Sequence, residues 1–150
     1  MSIFRDVEGV LCRNRLIDET QLLSARGHVR RWGRPLEQAV VDLGFVAESL
    51  LYAHLAAAVA LPFVRIEDRE VPRAVLRRIP ERLVRSRGVL PFELGDAARG
   101  PLLVAMPDPL NLPLLDELAF AAGMKVRGVV AGPSDIEQAI ARHFTPTVAV

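Results

Sequence analysis

Cysteine and lysine are scarce in this 150-residue chain; each occurs once, as Cys12 and Lys125. A lone cysteine closes no internal disulfide and builds no cysteine-rich zinc site, which agrees with a reducing compartment. Within Gly-Val-Leu-Cys-Arg-Asn it has no neighbouring histidine to activate it, so a buried or incidental thiol is expected rather than a nucleophile. Cation itself is not scarce: 19 Lys+Arg stand against 18 Asp+Glu, a formal charge of +1. That balance excludes the broad basic surface with which a general nucleic-acid binder displaces counterions. Long apolar runs are missing too. Arg, Asp, Glu or Pro breaks each well before the roughly 20 residues that cross a bilayer, and residues 1–6 lack the layout of a signal peptide. A cytoplasmic protein with no direct membrane insertion is expected.

The chemistry-bearing motifs are also thin. No glycine leads into Lys-Ser or Lys-Thr, so the loop that cradles nucleotide phosphates and magnesium is missing and nucleotide hydrolysis is not expected. His28, His54 and His143 stand at no zinc spacing, and neither a His-Glu-x-x-His stretch nor a nucleophile elbow occurs. Glu67-Asp68 and Asp116-Glu117 are adjacent pairs, whose side chains diverge along a strand or helix. The expectation is a non-enzyme with no catalytic residue, no metal and no cofactor.

What the chain has is pattern, and the pattern changes near Leu61-Pro62. Before it, Leu16, Ile17, Leu22 and Leu23, then Leu36, Val40 and Leu43, then Leu50, Leu51, Leu55 and Val59 recur at helical spacing. Asp18 with Gln21 reads as a capping pair, Gly27 and Gly33 bracket a basic stretch, and Gly44 ends the helix of Leu36 to Leu43. Three or four short helices are expected over residues 1–61.

After Pro62 short apolar runs alternate with helical segments. The reading is a short strand at Phe63 to Ile66, brief helices at Pro72 to Ile79 and Pro80 to Arg87, and a hairpin of Gly88 to Leu94 with Pro101 to Met106 around a turn at Gly95 to Gly100. A helix capped by Asp108, with Pro109 at its first position, runs to Gly123. Lys125 to Val130 supplies a third strand, Ser134 with Glu137 caps a last helix to about His143, and a frayed tail follows. The fold class is α+β: a small helical bundle over 1–61, then a small α/β subdomain over 62–150 with a roughly three-stranded sheet.

One cluster can meet a ligand or a partner. Arg30, Arg31 and Arg34, with Arg26 before them, surround the only tryptophan, Trp32, so guanidinium and indole can meet a phosphate or a flat ring together. The plainer reading is a charged turn with Trp32 folded back on the bundle.

The second half also carries a family likeness. Leu61-Pro-Phe-Val, Ile79-Pro-Glu-Arg-Leu-Val, Gly88-Val-Leu-Pro-Phe, Leu103-Val-Ala-Met-Pro-Asp-Pro-Leu-Asn and Ile136-Glu-Gln-Ala-Ile together resemble the N-terminal domain of type II secretion and type IV pilus assembly ATPases. The likeness runs from about Leu36 to Phe144. It implies a helical subdomain followed by an α/β subdomain, placed before a hexameric motor and docking it on an inner-membrane platform protein. One branch of that family binds cyclic di-GMP through two tandem motifs that begin Arg-Leu-Gly, hold a glycine between apolar residues at mid-length and end in Gln. Here the first copy starts Asp6-Val7-Glu8, has Arg15 at the middle glycine and ends at Val29; the second starts Pro35-Leu36-Glu37, keeps Gly44 and ends at Ala58. The Arg, the first Gly and the Gln are missing from both copies. The expectation is a non-catalytic docking or adaptor domain, alone or as the front of a longer protein. Its partner would be a protein, an inner-membrane platform protein or a secretion or pilus motor, holding the chain at the periphery of that membrane. Cyclic di-GMP is not expected as a ligand. The alternative is a cyclic di-GMP sensor acting through Arg30, Arg31, Trp32 and Arg34.

Overall fold

A computed structural model describes residues 6–95 and 101–144. The chain divides into two units, Met1–Leu61 and Pro62–Val150. The turn expected at 96–100 and the tail at 145–150 lie outside the described residues.

The first unit is helical, with α1 at Val7–Arg13, α2 at Glu19–Trp32, α3 at Leu36–Asp42 and α4 at Glu48–Ala58. Helix α1 has no place in the sequence reading, because two turns interrupted by Gly9 give too short a periodic signal. Leu16 and Ile17 lie between α1 and α2 rather than in a helix. The capping pair forms as expected: Asp18 Oδ1 accepts from the Gln21 amide at 2.8 Å, and Gln21 Oε1 accepts from the Asp18 amide at 3.0 Å. Gly27 does not bracket anything; it lies inside α2, which continues to Gly33 in left-handed backbone (φ 68). Helix α1 packs on α3 and α4, and α2 on α3, around Leu11, Ala25, Val40, Leu51 and Leu55, each 0% exposed. Each large apolar side chain so buried contributes roughly 1.5–3 kcal/mol.

The second unit builds a mixed sheet from β1 (Leu90–Leu94), β2 (Leu102–Met106) and β3 (Val126–Val130), in the order β1-β2-β3. The first pair is antiparallel with a register shift between Pro91 and Glu93; the second is parallel, Leu102 facing Val126 through Met106 facing Val130. Pro91 has no amide hydrogen, which suits β1 to an edge. Helix α5 (Arg73–Leu76) packs on β1, α6 (Glu81–Arg87) on α8, α7 (Leu112–Ala122) on β3, and α8 (Pro133–Phe144) on β1 and β2. Leu102, Val104, Ala105 and Met106 are 0% exposed, so β2 is buried on both faces.

Three expectations are corrected here. Helix α7 starts at Leu112, because Asn111 is its cap, accepting from the Leu114 amide at 3.2 Å, while Asp108 turns the chain by accepting from the Leu110 amide at 3.2 Å. Ser134 is the second residue of α8 rather than a residue before it. Phe63 to Ile66 is a single parallel bridge, Phe63 to Val130, since the Ile66 amide donates to Asp135 Oδ2 (2.8 Å) and leaves the sheet edge.

Candidate ligand site in the helical unit

The helical unit is a tandem repeat in three dimensions. Helices α1 and α3 start at Val7 and Leu36, and α2 and α4 at Glu19 and Glu48, both pairs 29 residues apart. The turns match bond for bond under the same offset. The Leu16 amide donates to Leu11 O and the Phe45 amide to Val40 O, both at 2.9 Å; the Arg15 amide donates to Cys12 O at 3.2 Å and the Gly44 amide to Val41 O at 3.0 Å. Both turns pass through left-handed backbone, at Gly44 (φ 75) and also at Arg15 (φ 53), where an L side chain is strained. The conformation that glycine serves in the motif thus persists in a copy that has lost the glycine.

A cavity of about 520 Å³ lies where the two copies meet, lined by Leu23, Arg26, Val29, Arg30 and Leu36. Val29 is the last residue of the first motif copy and Leu36 the second residue of the next. Its volume falls within the range of small-molecule sites. Arg26 pairs with Glu8, both about half exposed, whereas Arg30 has no ion-pair partner among the described residues.

The other residues singled out from sequence are not among those lining this cavity. Trp32 is 62% exposed and not folded back on the bundle; the Arg31 guanidinium stands 5.3 Å from its ring centroid and the His28 ring 6.3 Å away. Arg34 is tied to α3, donating from Nε to Asp42 Oδ2 at 2.7 Å and from Nη2 to Gln38 Oε1 at 3.1 Å. Of the sequence-derived set, Arg30 alone lines the cavity. Arg26, named with that cluster but not in the ligand set, lines it too, and its spacing of four from Arg30 on one helix is the signal that joins the two.

Glu37 was also passed over. It occupies the same place in the second copy as Glu8 in the first, is 5% exposed, and its Oε2 has no hydrogen-bond partner. Tyr52 is buried nearby, its hydroxyl accepting from Gln38 Nε2 at 2.8 Å. Burial first, then the Glu37 carboxylate, push the Tyr52 hydroxyl above its usual range. Cys12 is exposed. Among the described residues no three His, Cys, Asp or Glu gather to hold a metal, and no helix is long and apolar enough to cross a membrane.

A tandem helical repeat followed by a small mixed sheet is the fold of the N-terminal domains of secretion and pilus ATPases. The chain belongs to the MshEN domain family, which it matches over residues 59–149. It is 30% identical over 135 residues to the type IV pilus assembly ATPase PilB of Myxococcus xanthus, covering 90% of this chain and 23% of that protein. It is 26% identical over 129 residues to the PilB of Thermus thermophilus, covering 86% of this chain and 14% of the other. The chain therefore spans less than a quarter of the length of these relatives.

Among solved structures, MshE with cyclic di-GMP shares the fold with a TM-score of 0.71 at 24% identity, over 92% of this chain and 98% of that one. The N-terminal domain of XpsE follows with a TM-score of 0.68 at 23% identity, over 91% and 92%. The MshE structure overturns the expectation that cyclic di-GMP is no ligand, since this fold holds it in that protein. The expectation rested on side chains lost from the motif. The left-handed turn forms at Arg15 as it does at Gly44, so loss of the motif glycine does not remove the turn.

Proposed function

We propose that this chain is a regulatory front domain of a pilus or secretion ATPase and that its helical unit binds cyclic di-GMP at the junction of the two repeats. The observations that carry the reading are the left-handed turn repeated at Arg15 and Gly44 and a cavity lined in part by Arg26 and Arg30. The likeness to MshE supports the ligand, and the PilB relatives support the setting. Two backbone turns of one geometry suit a ligand made of two like nucleotides, and the two guanidiniums suit its two phosphodiesters. Hydrolysis falls to another part of such a protein, because the phosphate loop is missing from this sequence. Calorimetric titration of the purified chain with cyclic di-GMP tests the reading. Saturable one-to-one binding is expected, and no saturable heat up to about 1 mM ligand, where binding free energy falls to about −4.1 kcal/mol, overturns it.

A docking role has its own support in α7, where Leu112 is 67% and Phe120 91% exposed, on one face two turns apart. Phe120→Asp placed in the complete ATPase, folded and ligand-competent, is then expected to abolish pilus assembly or secretion. Undiminished assembly removes that reading.

A further inference from the structure

Resting on the cyclic di-GMP reading above, we propose that Arg26 and Arg30 are the phosphate-binding pair of this chain and that Glu8 is a built-in competitor for Arg26. The motif positions that carry arginine in the family hold Asp6 and Pro35 here, so cationic contacts to the phosphodiesters must come from elsewhere. Arg26 and Arg30 are the charged residues of the cavity wall. They stand one turn apart on α2, about 6 Å along its axis, so both guanidiniums reach one ligand.

Arg26 is not free to do so. Its Nη2 is paired with Glu8 Oε1, and Glu8 sits at the third motif position, where the family has glycine. The second copy shows that the fold does not need this pair. There the counterpart of Glu8 is Glu37 and the counterpart of Arg26 is Leu55, 29 residues on. The same helix, left-handed turn and helix form with Oε2 of that carboxylate unpaired and no ion pair to it among the described residues. A contact that one repeat makes and the other does without is dispensable to the turn. Its effect falls instead on a guanidinium in the cavity wall.

Both members of the pair are about half exposed, with side-chain exposures of 47% and 46%. Such a pair holds Arg26 by a factor of only about two to five, which a phosphodiester backed by Arg30 overcomes. Ligand entry then exchanges one charge-assisted hydrogen bond for another, Arg26 passing from the carboxylate to the phosphate oxygen.

The test is calorimetric titration of the parent chain and its variants with cyclic di-GMP, each variant checked for folding by circular dichroism. Glu8→Gln is expected to lower Kd by about twofold to fivefold. Arg26→Ala and Arg30→Ala are each expected to raise it about tenfold or more, and Arg26→Lys to recover part of that loss. Arg127→Ala, on β3 of the other unit, leaves Kd unchanged. In the double variant Glu8→Gln with Arg26→Ala the tightening vanishes, which a general charge effect at Glu8 does not predict. If the parent binds and Glu8→Gln binds no tighter, or Arg26→Ala binds equally well, this inference falls while the proposed function stands. A parent chain that does not bind is the failure of the proposed function itself.

Discussion

In the first repeat the turn between helices is made by Arg15 at φ 53, and in the second by Gly44 at φ 75. The first opens with Asp6, whose carboxylate caps α1 through the Gly9 amide; the second opens with Pro35, which caps α3 with no side-chain bond. At the third position the first has a paired Glu8 and the second a buried Glu37 whose Oε2 has no hydrogen-bond partner. The two backbones agree while these side chains do not. What holds the repeat is therefore what the copies share: apolar residues at Leu11 and Val40, Ile17 and Val46, Leu22 and Leu51, all buried, and the left-handed step between the helices. The polar residues are free to diverge, and they diverge at the first and third positions of each copy and at the turn.

Truncating the shared apolar positions is the strongest way to break this comparison. Leu51→Ala, at 0% exposure, is expected to cost about 3 kcal/mol, and Leu22→Ala, at 8%, about 2 kcal/mol, by denaturant unfolding. A Leu22 variant that loses as much as Leu51 or more shows that the greater exposure of Leu22 does not weaken its packing. The turns come next. No heavy atom lies within 4 Å of a Cβ added at Gly44, so Gly44→Ala costs only the left-handed conformation, about 1 kcal/mol. Arg15→Gly works in the opposite sense and is expected to stabilise by about 0.5–1 kcal/mol, less than the full relief because glycine frees the unfolded chain. Equal and same-signed effects at the two positions undo the equivalence of the turns.

Much of this architecture was legible from composition and spacing. The change of character at Leu61-Pro62, the helical half, the hairpin and the strand at Val126–Val130 all follow from apolar periodicity and from where proline and glycine stand. Element starts were less legible. Asp108 and Asn111 are equally good caps by type, and only the structure decides that Asp108 spends its carboxylate on a turn. The proposed site was least legible, for a definite reason. Arginines were chosen by their closeness to Trp32 in sequence, whereas the cavity is defined by spacing along α2 and by the start of α3. The loss of motif side chains was weighed as loss of the site, yet a turn's backbone conformation is not written in any single residue, as Arg15 shows.

Glu37 sharpens the comparison from the polar side. A buried carboxylate oxygen without a partner costs roughly 1–3 kcal/mol of desolvation. Replacing Glu37 by Met, similar in volume and apolar, is expected to raise stability by about 1 kcal/mol once the change of packing is allowed for. Glu8→Gln removes only an exposed pair and is expected to change stability by less than about 0.5 kcal/mol. Chemical denaturation of both variants measures the contrast, and a Glu37→Met protein less stable than its parent means that the carboxylate has a partner in solution.

The smallest effect belongs to the caps that open the two repeats. Asp6 is held below its usual carboxylate range by the Arg13 guanidinium, which donates to Oδ2 at 3.0 Å, and next by the Gly9 amide, which donates to Oδ1 at 3.0 Å. A carboxylate whose folded pKa is depressed contributes stability that is fully present above its unfolded value of 3.8 and is lost as pH falls through the lower folded value. Acidification below about pH 4 is thus expected to loosen α1 before α3, since Pro35 gives α3 no titrating cap. The Asp6 carboxyl resonance, followed by NMR against pH, should titrate below 3.8, and in Asp6→Asn, which keeps a capping oxygen without the charge, the amides of α1 should lose that acid-dependent shift. A midpoint at or above 3.8 in the parent means that neither Arg13 nor the Gly9 amide engages the carboxylate, and with it goes the claim that the first repeat opens on a charged cap.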